Sequence, residues 1–235
     1  MIKKTAVVVL TAGTVLTSVN TAHGYSADIV IRAGEYENKP GKRVYVSADF
    51  QTPSDIPLRR DEKGYYISEW DINVKLSKRI VQYLESFGVN VDLQTAHRKS
   101  EDLNAAGRIA KAKNPVIYFS VHHNSYKEDS SGYFMMVNRD SEKDKRYAEA
   151  MSNALRNNPG QIPRMQVREQ DGYIGEMNVK PGKINLLMEA GFFSNEVELR
   201  KIIDDIQVDY MARQVAAVLI RILANEDINC FSTEI

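Results

Sequence analysis

Four side chains able to move protons or hold a cation stand where an open sheet would bring them together: Glu35, Glu69, His122 and Glu189. Glu35 follows the β-branched run Asp28-Ile29-Val30-Ile31 and its closing Ala33-Gly34, His122 follows the apolar run Pro115 to Val121, and Glu189 ends a run that starts at Lys183. Each is expected just beyond the carboxyl end of a strand, the edge at which open α/β sheets present their ligands. Glu69 joins them from the first turn of a helix, where a carboxylate is favoured by the helix N-terminus in any case. Taken singly, each has a plainer reading. A glutamate at a helix start is more often a cap than a ligand. His123 alternates away from His122 in an extended segment, toward a supporting or solvent-facing position. His97 follows a different strand, from which it could substitute as a donor, and Phe192 and Phe193 read as packing.

Hydrophobic period identifies the elements that must position these groups. Asn38 to Tyr66 holds Pro40, Gly41, Pro53, Pro57 and Gly64 among charged and aromatic residues, and reads as a long surface excursion rather than core. From Ser68 onward Ile72, Leu76, Ile80, Tyr83 and Leu84 recur at helical steps until Gly88 stops the helix. Val89, Val91 and Leu93 then alternate as a strand, Glu101 to Lys113 reads as a helix, and Pro115 to Val121 as a buried strand running into His122-His123-Asn124. Tyr133 to Val137 is a strand, Ser141 to Asn157 a helix, Lys183 to Glu189 a strand, and Ile206 to Ala224 a long closing helix. Strands alternating with helices of this length predict an α/β fold: a single domain on an open, mainly parallel sheet with helices on both faces.

Composition narrows the function classes. Of the 235 residues 43% are hydrophobic, enough for a sizeable core, and Lys+Arg and Asp+Glu both number 31, so no overall basic field favours nucleic acid or an anionic membrane. The basic residues Lys39, Lys42, Arg43, Arg59 and Arg60 of the excursion read as a solvated charged loop, with contact to an acidic polymer as the alternative. Met1-Ile2-Lys3-Lys4 precedes the mostly apolar run Thr5 to Val19, which Thr11, Gly13, Thr14, Thr17 and Ser18 make too weak for a membrane span. Residues 1–24 therefore read as a signal peptide, with an amphipathic N-terminal strand or a non-cleaved anchor as the alternative, 25–225 as the catalytic domain and 226–235 as a polar, frayed tail. Stable membrane insertion after cleavage is not expected. Cys230 is the only cysteine, so no intrachain disulfide forms.

Three ordered motifs carry a resemblance. Ser68-Glu69-Trp70-Asp71-Ile72-Asn73 resembles a glutamate ligand at a helix start, Ser120-Val121-His122-His123-Asn124 a Ser-x-His-x-Asn ligand loop, and Leu187-Met188-Glu189-Ala190-Gly191-Phe192-Phe193-Ser194-Asn195 a catalytic glutamate followed by Gly-Phe-x-Ser-Asn. Arg98, Arg108 and Gly132 also fall where that pattern has them. Together they resemble the zinc-dependent N-acetylmuramoyl-L-alanine amidases (amidase type 3 catalytic domain), over roughly Ala27 to Asn225. The resemblance implies a phosphorylase/hydrolase-like fold, a Zn2+ cofactor, peptidoglycan as partner and substrate, and action outside the cell or in its wall; an activator protein as a further partner is left open by the sequence. The resemblance also implies Glu69 and His122 as zinc ligands and Glu189 as the general base. One position departs from it. The family's first strand ends in Gly-His, whereas Ala33-Gly34-Glu35 puts a carboxylate at the first ligand position. Glu35 either binds zinc as an anionic ligand, giving a two-glutamate, one-histidine site, or marks a weakened or inactive peptidoglycan-binding relative.

Overall fold

The structure is a computed structural model that describes residues 27–34, 43–95, 103–156, 166–170 and 175–231, together with strands β1 (Val8–Leu10) and β2 (Thr14–Leu16). β1 and β2 pair as an antiparallel hairpin. The remaining elements run β3 (Ile29–Ala33), β4 (Arg43–Val46), β5 (Arg59–Asp61), β6 (Gly64–Ser68), α1 (Glu69–Ser86), β7 (Val91–Gln94), α2 (Leu103–Ala112), β8 (Ile117–Asn124), β9 (Phe134–Asn138), α3 (Glu142–Arg156), β10 (Gln166–Gln170), β11 (Ile184–Phe192), α4 (Glu196–Ile203) and α5 (Asp205–Phe231). Six strands form one sheet in the order β10-β9-β11-β8-β3-β7. Every neighbouring pair is parallel except β11 with β9. The expected single open, mainly parallel sheet is therefore the observed one, with one antiparallel seam.

Strand alternation assigns each side chain to a face. Ile29 and Ile31 of β3, Phe119 and Val121 of β8, and Leu186 and Met188 of β11 join the large core beneath α1, α3 and α5. Val30, Tyr118 and Leu187 point the other way, into a smaller cluster with Ala110 of α2 and Met177. By the same alternation Arg32, Ser120, His122 and Glu189 lie on the α2 face. That face becomes polar toward the carboxyl ends of the strands.

The segment read as surface excursion is more ordered than its Pro and Gly content suggests. Within Asn38 to Tyr66 the described part builds a three-stranded antiparallel sheet, β4-β6-β5. Phe50 and Ile56 are buried with Ile67 and Ile72 of the β6–α1 junction and Phe193, Leu199, Ile202 and Ile203 from beyond β11. A second hydrophobic cluster thus clamps this subsheet to the domain. α5 continues to Phe231, past the residue where the apolar pattern ends. Among the described residues no helix is long and apolar enough to cross a membrane.

Candidate metal and catalytic centre

The site grows from three polar ends. β6 passes without a loop into α1, and Ser68 caps the helix: its side chain accepts the Asp71 N–H at 3.2 Å and its hydroxyl donates to the Asp71 carboxylate at 2.5 Å. Asp71 is in turn gripped by both forks of Arg59, at 2.7 and 2.8 Å. This pins the first turn of α1, and with it Glu69, which is fully buried. Glu69 Oε1 accepts from Asn73 Nδ2 at 3.2 Å and from the His123 backbone N–H at 3.1 Å, and lies 3.2 Å from His122 Nδ1. The glutamate of α1 and the histidine of β8 are therefore neighbours, as the motifs predict.

His123 turns to the α1 face and is buried rather than solvent-facing. Asn73 uses its amide nitrogen on Glu69 and the Gly34 carbonyl, so its oxygen accepts, and His123 Nδ1–H donates to it at 2.7 Å. Burial pushes the His123 pKa down to about 3, which keeps the ring neutral in that role. His123 supports the site from behind.

Glu189 is the direct register partner of His122 on the adjacent parallel strand, about 4.8 Å away across the ladder, and its side chain projects to the same face. It is 8% exposed, so it is buried without being wholly sealed from water. Just beyond it, β11 breaks register before Phe192, where Gly191 adopts a φ of 106°. Phe192 and Phe193 are buried as packing residues. Gly34 completes the floor: its N–H donates to the Val121 carbonyl at 2.8 Å, and the His122 ring lies against its Cα so closely that a Cβ there would overlap the imidazole.

One functional neighbour was not expected from the sequence. Glu176, in the turn between β10 and β11, places Oε1 3.3 Å from His122 Nε2, while its Oε2 accepts from Arg32 Nε at 3.1 Å. Arg32 and Glu176 are 1% and 2% exposed, a fully buried ion pair beneath the imidazole. Burial alone would lower the His122 pKa, but the hydrogen bonds and charges of Glu176 and Glu69 outweigh it and hold it well above its ordinary value. Burial would likewise raise Glu176, yet His122 and Arg32 bring it down to about 2.

These residues fit a zinc ion in part. An imidazole nitrogen and a carboxylate oxygen at hydrogen-bond distance are the donor pair from which a divalent cation displaces a proton, and both are zinc donors. Among the described residues no three His, Cys, Asp or Glu side chains form a cation cage. Glu176 faces the opposite ring nitrogen from Glu69, so the two carboxylates cannot share one ion with His122. The expected third donor, Glu35, lies outside the described residues, as do His97 and Arg98. Gly34, the residue before it, is in contact with the His122 ring, so the chain leaves the described part of the first strand at the site.

Comparison with known proteins agrees with the fold and the family resemblance. The family described as N-acetylmuramoyl-L-alanine amidase matches residues 29–221. No curated protein matches the chain. Among solved structures, the N-acetylmuramoyl-L-alanine amidase of Clostridium difficile 630 superposes with a TM-score of 0.63 at 16% identity, covering 83% of this chain and 95% of that one. The CwlD amidase of Clostridioides difficile, solved in complex with the GerS lipoprotein, gives 0.61 at 20% identity, covering 84% and 98%. The catalytic domain of CwlV from Bacillus (Paenibacillus) polymyxa var. colistinus gives 0.61 at 19%, covering 83% and 97%.

Proposed function

Since this chain belongs to the N-acetylmuramoyl-L-alanine amidase family, we propose that it hydrolyses the amide between the lactyl group of N-acetylmuramic acid and L-alanine of the peptidoglycan stem peptide. The observation that carries this reading is the convergence of Glu69 and His122 to 3.2 Å, with Glu189 in register beside His122 at the carboxyl edge of the sheet. Glu69 and His122 would hold zinc, with Glu35 as third ligand, and the ion when bound would supply an acidified water and Lewis-acid polarisation of the scissile carbonyl. Glu189, close by but on its own strand, takes the proton and returns it to the leaving amine. Its partial burial suits a base that must keep a carboxylate near a substrate while excluding bulk water. Residues 1–24 act as an export signal, so the enzyme works in the cell wall or outside the cell. The GerS complex of the CwlD neighbour supports a protein partner as activator.

The replacement of the expected histidine by Glu35 favours one second reading, a peptidoglycan binder that has lost hydrolysis. Zinc stoichiometry of the purified mature domain, measured together with release of free muramic-acid ends from peptidoglycan, separates the two. One zinc per chain with release supports the enzyme. Absence of both, with the chain retained on peptidoglycan, establishes the binder. Glu189→Gln should keep its zinc and lose hydrolysis by about 10²–10⁴-fold, because it deletes proton transfer and no ligand. Loss of zinc in that variant would make Glu189 a ligand instead.

A further inference from the structure

A buried charge pair at the end of an apolar strand calls for an explanation. Arg32 interrupts the run Ile29–Ala33, all of it buried, and an arginine there is tolerated only if a carboxylate meets it. Glu176 does so, and it uses its two oxygens on two different partners: Oε2 on Arg32 and Oε1 on His122 Nε2. The turn that carries it is held from three directions. Lys111 Nζ donates to the Val179 carbonyl at 2.8 Å, Asn138 Nδ2 donates to the Met177 carbonyl at 3.1 Å, and α2 packs so tightly on the Glu176 carbonyl that Gly107 has no room for a side chain. A purely structural ion pair would need none of this aim toward the imidazole.

We propose that Glu176, braced by Arg32, is a positioning residue for the metal centre: it accepts the Nε2–H of His122 and so fixes the ring with Nδ1 turned to Glu69. The physical argument is one of tautomer and direction. A neutral imidazole carries one N–H, and the nitrogen that lacks it is the only one able to bind a cation. A carboxylate on Nε2 keeps the proton there, so the proton that a cation would displace is the one on Nδ1, which faces Glu69 Oε1 3.2 Å away. Histidines that bind metals are generally oriented in this way by an acceptor on the other ring nitrogen, and its removal weakens metal binding. Arg32 contributes by holding the carboxylate in one rotamer. The inference rests on the zinc reading above, but its contact with His122 can be read without zinc.

The test uses the full chain, in which only His23, His97, His122 and His123 contribute imidazole signals. Long-range ¹H–¹⁵N spectra of the zinc-free and zinc-loaded protein should show a slowly exchanging Nε2–H on His122, and Glu176→Gln should shift this signal and shorten its lifetime. Zinc affinity by chelator competition should fall roughly 10–100-fold in the same variant. Because Glu176→Gln leaves the Arg32 guanidinium facing a neutral amide and can unfold the chain, the double variant Arg32→Met, Glu176→Gln removes both buried charges together and should show the same zinc deficit. A folded variant with zinc affinity within about twofold of wild type and an unchanged His122 Nε2–H overturns the proposal. Complete loss of zinc at millimolar metal also overturns it, making Glu176 a ligand. Wild type that takes up no zinc refutes the reading beneath, while the Nε2–H lifetime in the zinc-free chain still decides the role of Glu176.

Discussion

Gly34→Ala is the smallest change that should disable the site. A methyl group at position 34 would fall within 3.0 Å of Cε1, Nε2 and Nδ1 of His122 together, closer than real Cβ atoms come to other atoms. Ordinary contact between such atoms begins at about 3.5 Å, so the ring or the strand end must retreat by roughly an ångström. Gly34 is not among the positive-φ glycines, so alanine meets no backbone penalty there, and its N–H can still reach the Val121 carbonyl. The strain thus falls on the imidazole. Overpacking of this kind costs about 1–3 kcal/mol, or a fall in Tm of about 2–12 °C for a chain of this length. The catalytic cost should be larger. A displacement of about 1 Å in a positioned group lowers turnover on the order of 10²-fold, and the 3.2 Å approach of Nδ1 to Glu69 is what would be spoiled. Zinc affinity, kcat/KM on muropeptides and thermal unfolding, measured together, separate the two effects. A variant with wild-type zinc affinity and turnover would show that His122 does not lie over Gly34 in the working enzyme.

Three further outcomes are expected. Glu35→His should raise zinc affinity and turnover, because a neutral nitrogen ligand returns positive charge to the ion and acidifies its water; equal zinc binding and equal turnover in variant and wild type would remove that argument. Ser68→Ala removes the cap of α1 and should cost about 1 kcal/mol of stability, with a matching loss of zinc affinity because Glu69 is the next residue; unchanged thermal unfolding and zinc binding would contradict it. In the zinc-free chain Glu176 has its pKa lowered to about 2 from an ordinary 4.5, so its charge stabilises the fold above the upper value and that contribution is lost as pH falls toward the lower. Glu176→Gln should flatten this acid limb in denaturant melts run from neutral to acid pH, and a limb as steep as that of wild type would refute the assignment.

How much of this was legible depended on whether a residue sat on a periodic element. His122 and Glu189 end long apolar runs and Glu69 begins a regular helix, so pattern put all three at the ends of elements, and the surrounding motifs marked them as site residues. Glu176 lies in a turn between β10 and β11 with no period to mark it. Its only trace in the sequence is indirect: Arg32, a charge within a β-branched run, which requires a buried carboxylate somewhere else in the chain. The subsheet β4-β6-β5 was hidden because five Pro and Gly residues outweigh two short β-branched and aromatic runs, Val44-Tyr45-Val46 and Tyr65-Tyr66-Ile67. α4 spans only eight residues, too few for its apolar stripe to stand out, although Asn195 caps it by accepting from Val197 and Glu198. β10 is polar apart from Val167, which packs against the large core, and it lies at the edge of the sheet. Edge strands of that kind owe their place to a neighbour's backbone, which no local pattern records.

The direct passage from β6 into α1 also sets where this chain can tolerate insertion and deletion over evolutionary time. Ile67 and Ile72 are both fixed in the second hydrophobic cluster, and the four residues between them hold the cap, the glutamate and the Arg59-bound aspartate. Removing or adding one residue there would turn the start of the helix by about 100° and carry Glu69 away from His122. The turn between β5 and β6 is different. Glu62 and Lys63 join the strands at the surface, with Gly64 at a φ of 129° and open space around it. Relatives should therefore vary freely in the length of this hairpin and keep a constant spacing from Ile67 to Ile72. A peptide tag placed at Lys63 should leave the enzyme folded, whereas the same tag after Ser68 should abolish it.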